Sequence, residues 1–150
     1  MALSLRHFVR VFYLNVMDKS QIASRLIDAH QFLIAHVNGL SREEYEFSKD
    51  GVKWNAGQEV LHIIKSVKAL NRALSMPKMA LKLTFGKSNR PTRSYEEVVT
   101  KYQTKLASDK IVTTPPFEPD RIAFAQRDDL NTTLMSKVDQ LNSLLDRFSE

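Results

Sequence analysis

The 150-residue chain contains no cysteine, which excludes disulfide staples, thiolate metal sites and a cysteine nucleophile, and is compatible with a reducing compartment. Four glycines and five prolines are too few for a turn-dense β architecture, and no stretch alternates cleanly enough to be a strand. No run approaches the roughly 18 consecutive apolar residues that a membrane span requires, and no internal repeat or low-complexity tract is visible. Histidine is scarce as well. His7, His30, His36 and His62 are the four, and none follows His62 as far as Glu150.

The remaining composition, 43% hydrophobic and 26% charged, is that of one ordinary globular domain, large enough to bury a core. Residues 1–17 are rich in Leu, Val and Phe. Arg6, His7 and Arg10 interrupt any apolar targeting segment, and no small-x-small cleavage site follows. The expectation is an N-terminal arm or extra helix over 1–17 that packs Met1, Leu5, Phe8 and Phe12 on the rest, followed by a helical domain over 18–150. A cytoplasmic location is expected.

Helix signals recur along that domain. Asp18 and Ser20 open a helix in which Ile22, Leu26, Ala29, Leu33 and Leu40 recur at spacings of three and four, with Ile27, Ile34 and Val37 widening the stripe, up to Gly39. His36 falls on its Leu33 to Leu40 stripe. Ser41 with Glu44 is a capping box for a short turn of helix to Phe47. Asn55 with Gln58 caps a second long helix that Pro77 must end. Its expected inner face is Val60, Ile63, Val67, Leu70 and Leu74, with Lys65, Lys68 and Arg72 outside. A short helix over Lys78 to Phe85, stopped at Gly86, and a moderate one capped by Ser94 and Glu97 follow. Three prolines between Ile111 and Pro119 make that stretch a linker. Leu130, Leu134, Val138, Leu141, Leu145 and Phe148 then mark a third long helix, with Asp128 and Asp129 at its positive end. The fold class is all-α, an up-and-down helical bundle. Broad apolar arcs on the later helices leave room for a fourth partner, either the N-terminal helix or a second subunit.

Charge is unevenly placed. The net +5 conceals a segment, 65–110, with 11 basic and 3 acidic side chains. Such a segment attracts phosphates or small anions, or is a solvated lysine-rich surface. No nucleic-acid module accompanies it and no apolar run is long enough to span a bilayer, so neither nucleic acid nor a membrane is the expected partner.

Few residues suggest chemistry. Gly86-Lys87-Ser88 is no phosphate loop, because Leu81 stands where the first glycine belongs and no strand precedes it. Glu43, Glu44 and Glu46 crowd one short turn, Glu96 and Glu97 are adjacent, and no serine has a credible base. His62 lies in line with Ser66, Ala69 and Ala73, small residues that would leave a cavity beside the ring. On pattern alone it is a hydrogen-bonded core histidine.

A wider pattern surrounds it. Trp54, a polar cap, Gly57-Gln58 and His62, followed by Phe85-Gly86-Lys87-x-Asn89-Arg90-Pro91 and Ser94-Tyr95-Glu96-Glu97, resembles the DinB-like (DinB/YfiT) superfamily of four-helix bundles. The resemblance covers roughly residues 18–148. It implies a metal-dependent hydrolase or thiol S-transferase, a divalent metal (zinc or nickel) with His62 as its first ligand, and a small-molecule thiol or electrophile as substrate. The family's other two ligands form an H-x-x-x-H pair on a fourth bundle helix, where i and i+4 share a face. This sequence stops where that helix would begin. His30 and His36 are six apart and do not reproduce the pair, and a site of His7, His36 and His62 would need the N-terminal helix in the vacant groove. The expectation is a chain inactive by itself, with no catalytic residue assigned. The alternative is a non-catalytic bundle that homodimerises through an exposed apolar groove.

Overall fold

A computed structural model describes residues 18–51, 53–86, 91, 93–107 and 115–145. The arm expected over 1–17, His7, the Gly86-Lys87-Ser88 run beyond Gly86, and Phe148 lie outside these residues. Every element among them is helical: α1 (Lys19–Asn38), α2 (Arg42–Glu46), α3 (Ala56–Ser75), α4 (Lys78–Phe85), α5 (Tyr95–Leu106) and α6 (Arg127–Leu145), with 3-10 turns at Lys49–Gly51, Pro115–Phe117 and Phe124–Gln126.

The helix starts follow from capping chemistry. Asp18, Ser41, Asn55 and Ser94 each accept a hydrogen bond from the third residue of the helix they precede, and the side chains of Gln21, Glu44, Gln58 and Glu97 return the bond. Each box satisfies two amides that the helix itself leaves unpaired. Pro77 closes α3, and Gly86, at φ 77°, ends α4 in a conformation that favours glycine.

α6 is the central helix. It packs along both α3 and α1, whereas α1 and α3 barely touch each other. Val37, Val60, Ile64, Leu134 and Val138 form the buried core with Tyr45 and Ile122, each aliphatic side chain contributing about 1.5–3 kcal/mol by leaving water. The topology is not a simple alternation. Asn55, at the start of α3, donates to the carbonyl of Ile122 just ahead of α6 (2.9 Å), and Asn71, late in α3, donates to the carbonyl of Lys137, just past the middle of α6 (2.9 Å). α3 and α6 therefore run parallel, correcting the up-and-down expectation. The connection from 76 to 126 is long enough to bring the chain back to the starting end, and one such crossover is a known bundle variant. α1 opposes them, because its last residue, Asn38, accepts from Asn131 in the first turns of α6 (2.8 Å).

Two inner faces differ from expectation. The buried stripe of α3 is Gly57, Val60, Ile64, Val67 and Asn71, and Leu70 is exposed. Hydrophobicity ranks Leu70 above Asn71, but the Nδ2 of Asn71 donates to the Lys137 carbonyl and Gln140 Oε1, which offsets part of the cost of burying it, while its Oδ1 stays buried without a partner. His36 is exposed rather than inward: the buried position on that turn is Val37, and a helix turns about 100° between neighbours.

Asp18 sets a pH limit on the start of α1. Its side-chain bond from Ser20, then the backbone bond from Gln21, hold its carboxyl below the ordinary value of 3.8. A depressed folded pKa gives stability that is complete above the unfolded value and lost as pH falls through the folded one. The first turn of α1 is expected to lose helical chemical shifts below about pH 4 in the natural chain and to keep them in Asp18→Asn, which caps without titrating. Equal acid fraying in both would remove this role.

Candidate functional site

The corner around His62 begins with the Asn55 cap, which sets the phase of α3. At the helical spacings three, four and three, Asn55, Gln58, His62 and Lys65 line one stripe, on the side away from the buried stripe. Each of the four donates to a backbone carbonyl of one segment, 117–122. Asn55 Nδ2 binds the Ile122 oxygen at 2.9 Å, Gln58 Nε2 that of Pro119 at 3.2 Å, and His62 Nδ1 that of Phe117 at 2.9 Å. Lys65 Nζ reaches the Glu118 carbonyl. The proline-containing segment thus pairs through side chains of α3 the carbonyls that no regular structure satisfies.

A carbonyl only accepts, so Nδ1 of His62 carries its proton and Nε2 is the nitrogen with a lone pair in the neutral ring. The Trp54 ring lies beside the imidazole, with centroids 5.0 Å apart and planes tilted by 44°. Trp54 and the Phe117 carbonyl flank the ring. Ser66 Oγ donates to the His62 carbonyl of its own helix at 3.0 Å, which marks it as a helix side chain and not a nucleophile.

Beneath this stripe the packing is tight. A Cβ on Gly57 would lie 2.6 Å from Ile122 Cγ2 and 2.6 Å from the Tyr45 hydroxyl. Tyr45 is fully buried and meets Phe124 edge-on, with centroids 5.6 Å apart. Burial pushes its phenol above the ordinary value, so it stays neutral across the physiological range. Glu46 accepts from the Phe124 amide at 2.8 Å, fastening α2 to the turn that leads into α6.

A catalytic zinc or nickel ion takes about three protein donors. Among the described residues no group of three or more His, Asp or Glu side chains could hold an ion. His30 directs Nδ1 at the Leu26 carbonyl of its own helix (2.6 Å), and His36 is exposed on α1. The donors among the described residues therefore do not by themselves make up the set that the DinB-like resemblance implies. A separate groove of about 610 Å³ between α1 and α6 is lined by Ile34, Asn38, Asn131, Met135 and Asp139 among others, away from His62.

Sequence reasoning found His62, Trp54 and the Asn55 cap. It missed that Gln58 and Lys65 share a task with His62, although their spacing on one helical stripe was the available signal. Ile122 and Tyr45 had no such signal. Comparison with known proteins adds nothing to this geometry: no family model, no curated protein and no solved structure matches the chain.

Two substitutions test the corner. Gly57→Ala is expected to destabilise the protein by about 1–3 kcal/mol through overpacking against Ile122 and Tyr45, lowering the thermal midpoint by several degrees; an unchanged midpoint would show that the segment yields freely. Asn55→Asp keeps the cap but deletes the donor to Ile122, so it should expose amides around 117–124 to hydrogen exchange while α3 keeps its helical signal. Unchanged exchange there would mean that Asn55 serves only as a cap.

Proposed function

We propose that this chain is a DinB-like helical-bundle protein, of the superfamily of metal-dependent hydrolases and thiol S-transferases, that acts as a non-catalytic association unit and not as an enzyme by itself. One observation carries the reading: the imidazole expected to begin a metal centre uses Nδ1 to hold the Phe117 carbonyl, and no second and third donor converge with it among the described residues. Binding through Nδ1 to a carbonyl is also how metal-ligating histidines are oriented, so the corner retains the posture of a ligand with too few partners. His62 here is a positioning residue that holds the linker on α3. It takes part in no catalytic step on a thiol or an electrophile.

The family part of the reading is supported by the order of elements: a capped first helix, Trp54 ahead of a capped helix bearing His62, and a crossover into a further long helix. The association part is supported by the open arrangement of α1 and α3 on either side of α6, with Phe32 on α1 77% exposed and Leu70 on α3 52% exposed. Apolar side chains left in water in this way favour pairing of two copies.

Metal analysis of freshly purified protein and of His62→Ala tests the first part. Both are expected to hold far less than one equivalent of zinc or nickel, and His62→Ala to lose about 1 kcal/mol of stability with its hydrogen bond. A full equivalent in the natural chain that disappears on substitution would overturn the inactive reading. Sedimentation equilibrium tests the second part: the mass is expected to rise with concentration, and a folded chain that stays monomeric at high concentration would sink self-association.

A further inference from the structure

The largest group of exposed apolar side chains among the described residues lies on the crossover, although Phe32 on α1 and Phe47 after α2 are comparably exposed. α4 has no buried residue, and neither α4 nor α5 packs extensively on any other described element. On α4, Met79 is 76% exposed, Leu83 85% and Phe85 69%. Met79 and Leu83 are one turn apart, and Lys78 and Lys82 are one turn apart on the neighbouring stripe. On α5, Tyr95, Val98 and Tyr102 recur at spacings of three and four, and all three are exposed.

The same stretch carries the whole net charge. Residues 78–107 contain 7 basic and 2 acidic side chains, which leaves 15 of each sign in the rest of the chain. A segment of this charge disfavours a second copy of itself and favours an anionic partner, and Lys78, Lys82, Arg93, Lys101 and Lys105 against Glu96 and Glu97 keep the excess positive among the described residues. Bases would use the aromatic rings but gain nothing from Met79, Leu83 and Val98. A lipid surface uses every feature: apolar side chains enter the acyl boundary, lysine stems lie along it with their charges at the headgroups, and tyrosines sit at the interface.

We propose that α4, with α5, is a peripheral docking surface for anionic membranes. This goes beyond the bundle's self-association and uses different helices. It requires no spanning segment, and no described helix is long and apolar enough to cross a membrane.

Vesicle co-sedimentation of the full chain tests it, with phosphatidylcholine alone and with phosphatidylcholine plus phosphatidylserine. Binding is expected only to the phosphatidylserine vesicles and to weaken with salt. Lys82→Gln and Lys101→Gln should each weaken it about fivefold, and Met79→Ser with Leu83→Ser by more than about tenfold. Circular dichroism of each variant checks that helix content is kept, as substitution of exposed side chains should allow. Equal binding to neutral vesicles overturns the proposal, as does binding that survives the Met79 and Leu83 changes. Salt-sensitive binding to a single-stranded oligonucleotide without vesicle binding also overturns it, and assigns the charge to nucleic acid.

Discussion

The parallel pairing of α3 with α6 is the constraint from which the remaining architecture follows. Two asparagines hold it at two levels, Asn55 through the Ile122 carbonyl ahead of α6 and Asn71 through that of Lys137 past its middle. Two adjacent parallel helices cannot be joined by a tight turn, because the chain must travel back along about 30 Å of a 20-residue helix. The long connection, its two small helices and the returning segment along α3 are consequences of that requirement. So is the position of α1, which takes the other side of α6 and leaves little contact between itself and α3.

His62 gains its meaning from the returning segment. An imidazole on the side of α3 away from the core would face water if 117–122 did not lie there. With the segment in place, Asn55, Gln58, His62 and Lys65 act as a row of donors for carbonyls outside regular structure. Prolines make such a row useful: they interrupt local hydrogen bonding of the backbone, so partners must come from elsewhere. The corner holds the returning chain through these four donors.

Charge is segregated in the same way, and more than half of the exposed large apolar side chains of the described residues go with it. The bundle helices and their caps balance acid against base, while the crossover gathers the excess lysine and arginine beside its exposed Met, Leu, Phe and Tyr side chains. A crossover that packs weakly is free of core requirements, so its surface can be shaped by a partner.

The sequence by itself determined where helices begin and end, because capping is local: Asp18, Ser41, Asn55 and Ser94 act on amides within three residues of themselves. It also determined the all-helical class and singled out Trp54 and His62. The tertiary structure alone decided which way the helices run and which stripe each buries. Leu70 and Asn71 are neighbours, and periodicity chose the leucine; the carbonyl that makes Asn71 the buried one belongs to Lys137, on a helix 66 residues away. The partner of His62 likewise comes from a segment 55 residues on. Such pairings depend on the path of the whole chain, and no local pattern of residues encodes that path.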